Sequence, residues 1–178
     1  MRLFIALPLP DSVKEHLSAL KQPNEGMRWQ DGKYHLTLKF LGDTEDGKAR
    51  EVQQTLGKIN VTPFTMSLDG FGYFPKRGQP KVLWVGVEEN KQLFELQKKI
   101  EDACSLIGFE PESRPFKPHI TLARMNGVAK RDVMSFINQH KQFQIPEIPV
   151  KEFVLYESKL HSDGAIHIRV RTFLLKKC

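Results

Sequence analysis

The chain has 178 residues, 40% of them hydrophobic and 27% charged, with a formal net charge of +6. This balance suits one compact domain or two small lobes sharing a cleft. It gives no apolar run near the ~20 residues that a membrane-spanning helix needs. The two cysteines, Cys104 and Cys178, belong to no CxxC pair, which argues against a disulfide framework or a thiolate zinc site.

The opening MRLFIALPLP has one Arg before an apolar stretch, but no small-residue cleavage pattern follows. It reads as a first strand ending before Pro10, and the protein is expected to be cytoplasmic. Asp11 is a candidate N-cap for a helix to about Leu20, with Val13, Leu17 and Leu20 on one stripe. Pro23, Asn24 and Gly26 make a loop, MRW a short strand, Asp31-Gly32 a turn, and YHLTLKFLG a strand. Residues 46–58 read as a helix striped by Val52, Leu56 and Ile59. PFTMSLDGFGYFP and KVLWVGVE read as strands on either side of the loop PKRGQP.

The second half opens with a helix over about 90–107, carrying Leu93, Leu96, Ile100 and Cys104 on one face. Cys104 reads as a small buried residue there. Gly108 stops the helix. A loop with Pro111, Pro115 and Pro118 leads into the strand HITLAR, and Lys130 to His140 is a helix. KEFVLYESKL and AIHIRVRTFLL close the chain as strands joined at HSDG, a hairpin turn. The basic balance favours anionic partners such as nucleic acid. The small basic groups at Lys98-Lys99, Lys130-Arg131 and Lys176-Lys177 read as solvated faces.

His-x-Thr-Leu occurs twice, at residues 35–38 and 119–122, once in each half. Side chains on a strand alternate between faces. His35, Thr37 and Lys39 are therefore predicted on one face, with Leu36, Leu38 and Phe40 turned to the core. His119, Thr121 and Ala123 likewise oppose Ile120 and Leu122. If the halves are related by a pseudo-twofold axis, two imidazoles and two hydroxyls meet across a cleft. Such a pair can cleave a phosphodiester without a metal. One neutral imidazole takes a proton from the nucleophile and one imidazolium gives a proton to the leaving oxygen. The threonine hydroxyls can donate hydrogen bonds to the phosphate oxygens.

Arg124 is the candidate cation. It is out of phase with His119 by strict alternation, and a bulge or a long side chain would return it to the cleft. A cation following His119, with Phe40 at the matching place after His35, is predicted to lower the His119 pKa. That points to His119 as the neutral base and His35 as the acid. His16, His140, His161 and His167 lack a matching partner and read as surface or structural residues. No HExxH or Cys/His cluster is present, so neither a metal nor another cofactor is expected.

With both motifs in place, the sequence resembles the 2H phosphoesterase superfamily, and within it the RNA 2′,3′-cyclic phosphodiesterases, also called 2′-5′ RNA ligases. The resemblance covers nearly the whole chain. MRLFIALPLP, MRW before YHLTLKFLGD, GFGYFP, VLWVGV, FKPHITLAR and LYESKL fall in the family's order. It implies an α+β fold for residues 1–178, a single bilobal domain. Two pseudo-twofold-related lobes would face a central cleft with antiparallel sheets, and helices would pack outside. It implies His35 as proton donor and His119 as proton acceptor, with Thr37, Thr121 and Arg124 binding phosphate. Phe40, Phe74 and Tyr156 are candidates for packing against a base, with core packing as the alternative. Relatives often carry an aromatic near the place of His167, a departure that touches no motif residue.

The expected activity is opening of 2′,3′-cyclic phosphate ends on RNA or nucleotides to 2′-phosphomonoesters, by a monomer. The reverse steps would give 2′-5′ ligation. A phosphodiesterase for a small cyclic phosphate or a 2′-5′ oligonucleotide is an alternative. So is a nucleotide- or RNA-binding module without turnover, which would not need an acid and a base.

Overall fold

The computed structural model describes residues 1–177, so Cys178 lies outside the described residues. Nine strands and four helices are found among them: β1 (Arg2–Pro8), α1 (Asp11–Ser18), β2 (Met27–Trp29), β3 (His35–Asp43), α2 (Asp46–Leu56), β4 (Phe64–Phe74), β5 (Val82–Val87), α3 (Lys91–Leu106), β6 (His119–Met125), α4 (Lys130–Gln139), β7 (Gln144–Val150), β8 (Glu152–His161) and β9 (Gly164–Leu174). No helix among them is long and apolar enough to cross a membrane.

The strands run in the order β7-β4-β5-β6-β3-β1-β8-β9, with β2 paired to β6. This order has a centre. The inner pair β6 and β3 is flanked by β5 and β1, then by β4 and β8, then by β7 and β9. Each lobe thus has a four-stranded antiparallel sheet, to which β2 adds a fifth strand on the β6 lobe, and a single residue pair, Leu36 with Ile120, joins the two. The pseudo-twofold relation maps β1-α1-β3-α2-β4 onto β5-α3-β6-α4-β8. The last strand of each unit joins the other unit's lobe, so neither half closes its sheet alone.

The helices form where the apolar spacing dictates. In α3, Leu93, Leu96, Ile100 and Cys104 form one fully buried stripe. Asn90 caps it, its side chain accepting the Leu93 N–H at 3.0 Å. Burial pushes the Cys104 thiol pKa up to about 11. Leu3, Ile5 and Leu7 of β1 and Leu36 and Leu38 of β3 share the same core. Each such side chain contributes ~1.5–3 kcal/mol of burial.

One local expectation changes and one strand is added. Asp11 is the first helical residue of α1 rather than its cap, and Pro10 holds the cap position with φ −57° and ψ 149°. Proline has that φ built in. QIPEIPV, to which the sequence reading assigns no element, is the strand β7. It lies at the sheet's end, where Pro146 and Pro149 need no ladder hydrogen bond on the open side.

Candidate active site

Strand β3 does not keep strict alternation. Opposite β1, Ala6 pairs with Thr37 and Ile5 with Lys39, leaving Leu38 as an extra residue. Such a bulge resets the faces. Leu38 and Lys39 are both buried, and Phe40 turns outward, 74% exposed. The predicted faces of Lys39 and Phe40 are therefore exchanged. Lys39 lies behind the site, where its ammonium pairs with Glu101 and donates to the Glu110 carbonyl at 3.1 Å. Phe40 stands on the same side as His35 and Thr37.

Strand β6 repeats the device at the equivalent place. Trp84 of β5 pairs with Thr121 and Leu83 with Ala123, so Leu122 is the extra residue. Leu122 and Ala123 are both buried, and Ala123 does not share the face of His119 and Thr121 as alternation predicts. Arg124 is exposed and returns to the polar face. The two bulges make Phe40 and Arg124 positional twins.

The imidazoles are held alike. His35 Nδ1 lies 2.8 Å from the Lys33 carbonyl oxygen, and His119 Nδ1 lies 2.7 Å from that of Lys117. A carbonyl only accepts, so each Nδ1 carries the hydrogen and each Nε2 is free for proton transfer. His35 Nε2 lies 3.1 Å from Thr37 Oγ1, which donates to the neutral ring. The Leu36–Ile120 register, carried one residue each way, sets His35 across from Thr121 and Thr37 across from His119.

That antiparallel register also decides where Arg124 acts. Residues after Ile120 run toward the residues before Leu36, so the guanidinium lies toward His35. Burial lowers the His35 pKa to about 4, with His167, Arg124 and His119 adding in the same direction. The His119 pKa is lowered by burial and by the Lys117 ammonium. Arg124 thus acts on the histidine of the opposite motif, and the field argument that makes His119 the neutral base does not hold.

Aromatic rings line both sides. The Phe4 ring is 5.2 Å from those of His35 and Tyr156 and stacks on the latter. Across the cleft, Phe74 meets His119 edge-on at 5.2 Å, and Trp84 lies 6.0 Å from it. Tyr156 on β8 and Phe74 on β4 are equivalents under the pseudo-twofold relation. The glycines of GFGYFP and VLWVGV have a physical reason here. A Cβ on Gly72 would fall 2.1 Å from the Trp84 ring, and one on Gly86 would fall 3.3 Å from it.

Sequence reasoning sets His167 aside, yet its ring stands 5.1 Å from that of His35 and 4.9 Å from that of Phe4. Burial, and then the Lys33 ammonium, lower its pKa. The signal lies in the HSDG turn. A two-residue loop pairs Ser158 with His167 and Tyr156 with Arg169, placing His167 two positions from Tyr156's partner on the same face.

Two imidazoles, two hydroxyls and a guanidinium around one cleft suit a phosphate ester attacked from one side and released on the other. The chain belongs to the LigT-like phosphoesterase family, which it matches twice, over residues 7–84 and 85–167. Each match holds one His-x-Thr-Leu. It is 30% identical to the RNA 2′,3′-cyclic phosphodiesterase of Methanothermobacter thermautotrophicus, over 98% of this chain and 99% of the relative. It is 32% identical to that of Thermotoga maritima, over 94% and 91%. Among solved structures it resembles TT0787 of Thermus thermophilus, with a TM-score of 0.82 and 28% identity over 98% of both chains. It also resembles E. coli LigT complexed with 3′-AMP, with a TM-score of 0.78 and 26% identity over 99% and 98%.

Proposed function

We propose that this protein opens 2′,3′-cyclic phosphates on RNA or nucleotides to 2′-phosphomonoesters without a metal ion, as one bilobal domain. The matched pair of imidazoles, each with Nδ1–H on a carbonyl and an unprotonated Nε2, carries the reading. Water attacks phosphorus opposite the 3′-oxygen. His119 Nε2 accepts the water proton as the P–O bond forms, and His35 Nε2 protonates the 3′-oxygen as its bond breaks. Thr37, Thr121 and Arg124 donate hydrogen bonds to the non-bridging oxygens, where charge grows in the transition state. Phe40, Phe74 and Tyr156 offer apolar faces to a base. Every group comes from one chain, so a monomer suffices. An RNA-end substrate fits the cytoplasmic setting expected from the sequence.

At neutral pH the free site holds two neutral imidazoles, since burial and neighbouring cations lower both pKa values. The bound phosphate anion favours the imidazolium that the reaction needs. The resemblance supports His35 as the donor, although its pKa in the free site is low. A single proton shared by the pair gives the same pH profile in either order. A substrate with sulfur as the leaving atom separates the orders, because sulfur leaves without a proton. His35→Ala is expected to regain activity on it and His119→Ala is not; rescue of His119→Ala alone would reverse the roles. The activity itself is tested by the rate on 2′,3′-cyclic AMP in EDTA.

A further inference from the structure

Strand β2 sets Arg28 directly across from Arg124. Residues opposed across an antiparallel pair share a face, and like charges there destabilise the sheet. Among the described residues neither guanidinium has a carboxylate partner. The backbone holds β2 firmly despite this repulsion. The Asn126 N–H donates to the Gly26 carbonyl at 2.8 Å, and the Gln30 N–H donates to that of Leu122 at 2.8 Å. Gly26 has φ +87°, and a Cβ on it would fall 2.3 Å from the Asn126 carbonyl oxygen, so this approach requires glycine. Trp29 pins the other end, its indole N–H donating to the Gln22 carbonyl at 3.2 Å. Between these anchors lies an open groove of about 500 Å³, lined by Gly26, Met27, Arg28, Arg124, Met125 and Asn126.

We infer that Arg28, with Arg124, forms a second anion subsite that holds the phosphodiester next to the cyclic phosphate, and so favours an RNA end over a mononucleotide. The inference rests on the activity proposed above. A nucleotide whose 2′- and 3′-oxygens are both tied up in the ring continues only through its 5′-oxygen, so it has one neighbouring phosphate. Arg124 lies three strand positions beyond Thr121, roughly 7–10 Å along β6, and Arg28 lies level with it on the neighbouring strand, on the edge of β6 that also meets β3. Arg124 can then bridge the reacting phosphate and the next, while Arg28 grips the next alone. Two forked donors facing one groove suit a phosphodiester oxygen pair, and the anion offsets the repulsion of the two guanidinium groups.

The test is calorimetric binding at low salt, which does not depend on turnover. Wild type and Arg28→Gln are titrated with adenosine 2′-phosphate, with ApA bearing a terminal 2′-phosphate, and with the same dinucleotide carrying an uncharged methylphosphonate linkage. The expected result is tighter binding of the charged dinucleotide by wild type. About tenfold of that is lost in Arg28→Gln, partly restored in Arg28→Lys, and the other two ligands change by less than about twofold. Equal weakening of all three ligands, or no weakening of the charged dinucleotide, overturns the subsite. Hydrolysis of 2′,3′-cyclic AMP and of the matching dinucleotide is run in parallel. Failure of turnover on both would sink the proposed activity, while the titrations still decide the subsite.

Discussion

The pH dependence of kcat/KM follows from the histidine environment and is sharply constrained. This parameter reports the ionisation of free enzyme and free substrate. The cyclic phosphodiester is a monoanion throughout the working range, so the bell belongs to the histidine pair. His35 titrates at about 4 and His119 below its ordinary value of 6.5. Both limbs of the bell are therefore expected below 6.5, with the optimum on the acid side of neutrality. The kcat profile is expected at higher pH, because the bound anion stabilises imidazolium. The same shift appears in stability. As pH falls through 6.5 the unfolded chain takes up a proton at residue 35 and the folded chain does not. Stability is lost from there down to about 4. The full drop is worth ~3 kcal/mol. His35→Asn is expected to flatten the melting-temperature curve over that window. Initial rates on 2′,3′-cyclic AMP from pH 4 to 9, with melting curves at each pH, provide the assay. A kcat/KM bell whose limbs both lie above 6.5, or an unchanged stability curve in His35→Asn, would refute the electrostatic reasoning.

His35→Ala and His119→Ala are each expected to lose ~10²–10⁴-fold in turnover, with the double variant little worse than the poorer single, as steady-state rates will show. Arg124→Lys is expected to be slower than wild type, because a point charge replaces a forked donor. In the same kcat/KM profile Arg124→Gln should move the limb set by His35 to higher pH, since one cation beside His35 is removed; unmoved limbs would place Arg124 away from His35. Gly72→Ala must push the Trp84 ring out of its place beside His119, with an expected cost of ~1–3 kcal/mol in denaturant melts and a reduced kcat.

Much of this site is legible before any coordinates. The duplicated His-x-Thr-Leu places one polar pair in each half, and the apolar partners Leu36 and Ile120 become the single pair that joins the lobes. The α3 stripe follows directly from its spacing. Strict alternation is blind to the bulges at Leu38 and Leu122, because an extra residue is set by how neighbouring strands pair. Hence Lys39 and Phe40 exchange faces, and Arg124 returns to the polar face of β6. The Arg124 field is misplaced for a related reason. Sequence neighbours suggest that it acts on His119, while antiparallel pairing carries it toward His35. His167 escapes notice because it has no twin, although the register of its own hairpin sets it beside Tyr156. In β7 the prolines mask a strand, since an edge strand tolerates them.

The central claim is that two histidines, without a metal, open the ring on the 3′ side. Phosphorus NMR of the product from 2′,3′-cyclic AMP in excess EDTA tests it most directly, for wild type and for well-folded His35→Ala and His119→Ala. The expected result is adenosine 2′-phosphate alone from wild type and almost no product from either variant. Adenosine 3′-phosphate as the product, turnover that needs a divalent ion, or full activity in either variant would contradict the account.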